Sequence, residues 1–131
     1  MSNSQIYVVD DDPVYGGTLK KILNLRKYEN IELFYNGEDC LAVIDDSKAA
    51  LYILDFNLET LTGIAVLRLI KQKHSKAKVV SLTSLNHDAA LEETCKSEGA
   101  LGFFQKDQDG IESLVNWMNK NVSGGLFSFF K

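Results

Sequence analysis

The residues able to do chemistry sit where apolar runs stop. Ile6-Tyr-Val-Val leads into Asp10-Asp11-Asp12, Leu51-Tyr-Ile-Leu into Asp55, Val79-Val-Ser-Leu into Thr83-Ser84, and Gly102-Phe-Phe-Gln into Lys106. Carboxylates gathered at one edge repel one another unless a cation joins them. Hard oxygen ligands suit Mg²⁺, which keeps several waters and takes one or two carboxylates plus phosphate oxygens. A hydroxyl and an ammonium facing those carboxylates would suit phosphoryl oxygens. The set reads as a phosphoryl-transfer site with a carboxylate nucleophile. Each member alone has a plainer reading: an Asp after a strand caps a helix or makes a turn, a Thr in a strand is a β-former, and a loop Lys is solvated. Asp12 is assigned the capping role. The phosphoryl-transfer reading rests on four strands ending in compatible groups.

Those groups meet only if the chain folds in one particular way. Strand-length apolar runs are Gln5–Asp10, Asn30–Tyr35, Ala50–Asp55, Lys78–Thr83 and Leu101–Gln105. Most are continuous rather than alternating, as strands buried on both faces are. Helical periodicity fills the gaps: Tyr15, Leu19, Ile22 and Leu23 share one face, as do Ile111, Leu114, Val115, Met118 and Val122. Asp12-Pro13 supplies an N-cap and an N1 proline. Asn36 and Thr62 are expected N-caps for the next two helices, and Gly99 a C-cap before the fifth strand. Repeated βα units predict an α/β fold with an open five-stranded parallel sheet and helices on both faces. Ligands in such sheets bind outside the carboxyl ends of the strands.

Composition fits this. The chain has 131 residues, 45% hydrophobic and 24% charged, which predicts one globular domain and excludes disordered and low-complexity classes. A formal charge of −4 argues against a general nucleic-acid or anionic-membrane surface. Cys40 and Cys95 stand alone and read as reduced core residues. The start Met1-Ser-Asn-Ser-Gln has neither the basic residues nor the apolar run of a signal peptide. No apolar stretch approaches the roughly 20 residues of a membrane span. The expected location is cytoplasmic. His74, among Lys71, Lys73 and Lys76, is expected to be solvated, and neither it nor His87 has metal-ligand spacing.

From Gln5 to Val122 the sequence resembles the receiver domain of two-component response regulators, most closely the single-domain, chemotaxis-regulator-like kind. The resemblance is carried by Ile6-Tyr-Val-Val-Asp-Asp-Asp-Pro13, by Tyr52-Ile-Leu-Asp-Phe-Asn-Leu58 with Gly63, by Val79-Val-Ser-Leu-Thr-Ser84, and by Gly99-Ala-Leu-Gly-Phe-Phe-Gln-Lys106. It implies the flavodoxin-like strand order 2-1-3-4-5. It also implies that Asp55 is the phosphoacceptor, taking a phosphoryl group from a histidine kinase, a histidine phosphotransfer protein or a small acyl phosphate. Asp10 and Asp11 match the acidic pair that, with Asp55 and the backbone carbonyl of Asn57, holds Mg²⁺. Thr83 and Lys106 match the phosphoryl-binding positions, and Thr83 and Phe103 the switch positions. The output implied is a population shift of the surface built by the fourth helix, fifth strand and fifth helix. In an unphosphorylated state Lys106 would pair with Asp55. The implied role is a switch with only slow self-dephosphorylation, not an enzyme.

The chain departs from the family pattern in four places. Asp107 follows Lys106 where the family usually has a cis proline, which predicts a looser loop and an added negative charge. Leu58-Glu59-Thr60 lacks the usual proline. Gly16-Gly17 weakens the first helix by roughly 2 kcal/mol relative to alanine, for flexibility or for close packing. Phe103 lacks a hydroxyl, so its ring should favour burial.

The domain is assigned to residues 1–122 and a short Gly/Phe-rich tail to 123–131. In the tail, Leu126, Phe127, Phe129 and Phe130 either fold back or form a short motif that docks on a partner. Trp117 reads as core rim, with a partner surface as the alternative. The downstream target is an unidentified protein, direct DNA binding is not expected, and a monomer or a phosphorylation-dependent dimer would both serve. Two other functions compete: a phosphorylation-independent interaction module, and a small phosphatase of the Asp-x-Asp-x-Val type using Asp10 as nucleophile. A flavin-binding flavodoxin fits poorly, because three acids stand where a phosphate loop needs Ser, Thr or Gly.

Overall fold

In the computed structural model, which describes residues 4–44, 49–56, 62–84 and 89–122, every expected strand forms, trimmed by a residue at most ends. The order along the chain is β1 (Ile6–Val9), α1 (Pro13–Leu25), β2 (Ile31–Phe34), α2 (Gly37–Ala42), β3 (Leu51–Leu54), α3 (Gly63–Lys73), β4 (Val79–Thr83), α4 (Ala89–Ser97), β5 (Gly102–Gln105) and α5 (Gln108–Asn121). The strands pair in parallel in the order β2-β1-β3-β4-β5. The register aligns Val9 with Phe34 on one side and Leu54 on the other, and Thr83 with Gln105.

Burial follows position in the sheet. β1 and β3 are buried along their whole length, whereas the edge strands β2 and β5 are partly exposed. Alternate side chains of each strand enter opposite layers. Ile6 and Val8 join Leu19, Leu23, Leu114 and Met118 beneath α1 and α5. Tyr7 and Val9 join Cys40, Val66, Leu67, Ile70 and Cys95 beneath α2, α3 and α4. Both cysteines are free and buried, and burial pushes the Cys40 thiol up to about 12 and that of Cys95 up to about 11, as the core reading requires.

The helix ends follow local side-chain chemistry. Asp12, Asn36 and Thr62 cap α1, α2 and α3 by accepting backbone N–H bonds. Gly99 takes φ +107° after α4, a conformation other L-residues resist. Close packing does not explain the glycine pair in α1. A Cβ on Gly16 would meet Leu33 at an ordinary 3.8 Å, and one on Gly17 would meet nothing within 4 Å.

His74 corrects an expectation. It is half-buried, not solvated, and its Nε2 lies 2.9 Å from the Ile44 carbonyl while its backbone amide closes α3 on Ile70. The neighbouring lysines signal solvent, but the ring turns inward to meet the carbonyl of Ile44, two residues past α2. No helix among the described residues is long and apolar enough to cross a membrane.

Candidate functional site

The expected site residues are held by one extra rung of the sheet ladder. The Asp10 amide donates to the Phe34 carbonyl at 3.0 Å, the Asp55 amide to Val9 at 2.9 Å and the Lys106 amide to Thr83 at 2.8 Å. Each of these residues is thus the first past its strand and is still tied to the neighbouring strand. Two glycines let the next elements close on this edge. A Cβ on Gly63 would lie 2.5 Å from the Cα of Phe56, the residue after Asp55, and one on Gly110 would lie 1.9 Å from the Gln105 carbonyl oxygen. Any larger residue would push α3 or α5 away from the site.

Asp10, Asp11 and Asp55 converge, with one oxygen from each lying within 4.8 Å of the others. Asp10 and Asp55 are only 4% exposed, and Thr83 is fully buried beside them at the end of β4. The Lys106 ammonium reaches both inner carboxylates, 2.6 Å from Asp10 Oδ2 and 3.1 Å from Asp55 Oδ2, with its side chain 9% exposed. The expected Lys106–Asp55 pair is therefore present, and a closer contact to Asp10 accompanies it. The other Asp10 oxygen accepts the Asp12 amide at 2.9 Å.

The charges do not balance. Among the described residues, three carboxylates face one ammonium, an excess of two formal negative charges. Burial pushes the Asp10 carboxyl above its usual range and the Asp55 charge adds to this, against the opposing hydrogen bonds from Lys106 and Asp12. Burial also disfavours the Lys106 ammonium, but its bonds to Asp10 and Asp55 outweigh that and hold it above the usual lysine value. An all-oxygen donor set with two excess negative charges fits a hard divalent cation such as Mg²⁺.

The loop after β5 differs from its expectation. Asp107 accepts the Gly110 amide at 2.7 Å and caps α5, so a side-chain bond anchors the loop where a proline was absent. Phe103 is half-buried against the layer beneath α2, α3 and α4. Trp117 is half-buried against the opposite layer. Asn57, Leu126, Phe127, Phe129 and Phe130 lie outside the described residues, as do His87 and Leu58-Glu59-Thr60.

Sequence reasoning missed Tyr15, whose ring centroid lies 4.4 Å from the Lys106 Nζ. In the sequence it reads only as an apolar position of the first helix. The usable signal was its place in the first helical turn directly after the acidic run.

Comparison with known proteins agrees with this fold. Chemotaxis protein CheY4 of Vibrio cholerae superposes with a TM-score of 0.81 at 20% identity, over 92% of this chain and 100% of that one. Response regulator TrrA of Thermotoga maritima, solved in complex with Mg²⁺–BeF, gives 0.80 at 28% identity over 91% and 99%. Transcriptional regulatory protein DegU of Brevibacillus brevis is 22% identical over 124 residues, 94% of this chain and 52% of that protein. The chain spans 37–57% of the length of the first three curated relatives it matches. Residues 6–117 match the family described as the response regulator receiver domain, and to that family the chain belongs.

Proposed function

We propose that the chain is a Mg²⁺-dependent phosphoacceptor switch, acting as the receiver of a response regulator with Asp55 as the acceptor. The observation that carries this reading is the buried Asp10–Lys106–Asp55 bridge beside Asp11, at the edge where the strands end. Asp10, Asp11, Asp55 and the Asn57 carbonyl would hold the metal, which when bound neutralises charge on the phosphoryl oxygens.

In the forward step an Asp55 carboxylate oxygen attacks the phosphorus of a phosphohistidine on a histidine kinase or phosphotransfer protein. The new O–P bond forms as the P–N bond breaks, and the imidazole nitrogen leaves with the electron pair. From a small acyl phosphate the leaving group is a carboxylate instead. Lys106 moves from the carboxylates to one phosphoryl oxygen, and the Thr83 hydroxyl donates to another. Attack of water on the phosphorus later returns free Asp55 and inorganic phosphate, slowly enough that the protein works as a switch rather than as a turnover catalyst.

The phosphoryl group adds roughly −1.5 to −2 charge at the site. Thr83 follows it, Phe103 repacks into the space released, and the α4–β5–α5 surface shifts toward a state that binds a downstream protein. Trp117 and the aromatic residues of the 123–131 tail are candidates for that surface. On this reading the protein acts in the cytoplasm, as a monomer or as a dimer formed on phosphorylation.

Intact mass after incubation with acetyl phosphate and Mg²⁺ tests the reading. The parent is expected to gain one phosphoryl group and Asp55→Asn none. Labelled phosphate trapped on Asp10 would overturn the assignment in favour of the phosphatase-like reading. No gain, together with no uptake of beryllofluoride, would overturn the phosphoacceptor reading itself.

A further inference from the structure

Among the described residues Lys106 has three holders, and two of them are claimed when the site is loaded. On the reading above, the carboxylates of Asp10 and Asp55 turn toward the metal and the phosphorus. The remaining holder is the ring of Tyr15, 4.4 Å from the ammonium. α1 fixes that ring: the Tyr15 amide donates to the capping Asp12 carboxylate at 3.3 Å, and the side chain packs against the core layer beneath α1 and α5.

A π face suits this task better than another carboxylate. It attracts an ammonium through the ring quadrupole. It adds no charge to a site already in excess by two negatives, and it does not compete for the N–H donors that phosphoryl oxygens need. The attraction is strongest where water is excluded, and the Lys106 side chain is 9% exposed. The hydroxyl is not the working part. It is buried with no hydrogen-bond partner among the described residues. Burial, then the charges of Asp10, Asp107 and Asp55, push it up to about 12, so it stays a neutral phenol.

We propose that Tyr15 is a positioning residue of the phosphoacceptor site, holding the Lys106 ammonium on its ring face while Asp10 and Asp55 exchange partners. The hold on the lysine stands on the geometry alone; its use in phosphoryl binding rests on the function proposed above.

Two measurements on the full chain separate these parts. The first is the Lys106 ε-methylene NMR resonance in metal-free protein carrying ¹³C-labelled lysine, assigned by its loss in Lys106→Met. It is expected upfield in the parent and in Tyr15→Phe, and among the other lysines in Tyr15→Leu. The second is the affinity for Mg²⁺–beryllofluoride. Tyr15→Leu is expected to weaken it roughly two- to thirtyfold, and Tyr15→Phe to restore it. In a Lys106→Met background, Tyr15→Leu should change nothing further, because it acts through the lysine. Tyr15→Met, which fills irregular core space, replaces Tyr15→Leu where that variant does not fold. An unshifted Lys106 resonance in the parent overturns the hold. Equal weakening in both backgrounds overturns the positioning role. A parent that takes up no beryllofluoride overturns the phosphoacceptor reading and the positioning role with it, while the resonance still decides whether the ring holds the lysine.

Discussion

Replacing Lys106 by Met is expected to destabilise the metal-free protein by about 3–5 kcal/mol, the range for removing one partner of a buried ionic group. At an effective dielectric of about 20, charges 2.6 and 3.1 Å apart attract by about 6 and 5 kcal/mol. Carboxylate oxygens within 4.8 Å repel by at least about 3 kcal/mol on the same scale. Desolvation of three side chains, each less than a tenth exposed, offsets much of the gross attraction. What the variant loses is therefore well below the sum of the two contacts, but it keeps the repulsion in full.

The pH dependence has a definite sign. Lys106 has a folded value raised above 10.5. Its contribution is complete below the unfolded value and fades only as pH rises through the folded one, so in the parent it is flat across the neutral range. Without the ammonium, Asp10, already raised above 3.8 by burial, rises further. An aspartate raised in the fold costs stability above its folded value, and that cost is relieved as pH falls through it. The variant should thus recover part of its deficit between neutral pH and an acidic pH that approaches the raised Asp10 value, and it should gain more stability from Mg²⁺ than the parent does. Urea unfolding followed by Trp117 fluorescence, in EDTA and in Mg²⁺ at both pH values, reads all three effects at constant m-value. Equal midpoints for parent and variant in EDTA at neutral pH would refute the charge argument. So would an Mg²⁺ gain no larger in the variant.

Three further substitutions probe the frame around the site. Gly17→Ala should raise stability by roughly 0.5–1 kcal/mol, because a Cβ there meets nothing within 4 Å; a loss in urea midpoint would mean the glycine is needed for motion. Ser81→Ala should gain about 1 kcal/mol, because its fully buried hydroxyl lacks a hydrogen-bond partner among the described residues; an unchanged or lower melting temperature would contradict this. Asp107→Ala should cost about 1 kcal/mol by removing the α5 cap, with faster amide exchange at Gly110 as its local signature.

Much of this molecule was legible because its chemistry is local. Strands buried on both faces write themselves as short apolar runs, so β1 and β3 were found to within a residue. Asp12, Asn36 and Thr62 cap helices because their short side chains reach the free amides of the next turn, whatever the rest of the fold does. The meeting of Asp10, Asp55, Thr83 and Lys106 was legible because a parallel sheet brings every strand end to one edge. The Asp107 cap is legible in Asp-Gln-Asp-Gly110 once the position is read for its own side chain and not for the proline it lacks. Tyr15 and His74 were not legible in this way. For Tyr15, helical periodicity shows that a ring points inward, not whether it meets a methyl group or an ammonium; His74 lies just past α3, where the neighbouring lysines point to solvent and the contact with a distant carbonyl leaves no local signal.

The partition of Lys106 between two carboxylates belongs to the same illegible class, and its cause is visible once the loop is built. Strand order brings both carboxylates within reach of one ammonium and leaves the choice open. The choice is made by the Asp12 amide, which holds Asp10 Oδ1 at 2.9 Å and so turns Oδ2 toward the lysine. Asp12 is in turn fixed by its own carboxylate, which accepts the Val14 and Tyr15 amides at the start of α1. A residue assigned to capping alone therefore orients Asp10, and its cap also fixes the backbone that carries the ring beside the lysine. Capping and site geometry are one arrangement here, because α1 starts three residues after the ladder releases Asp10.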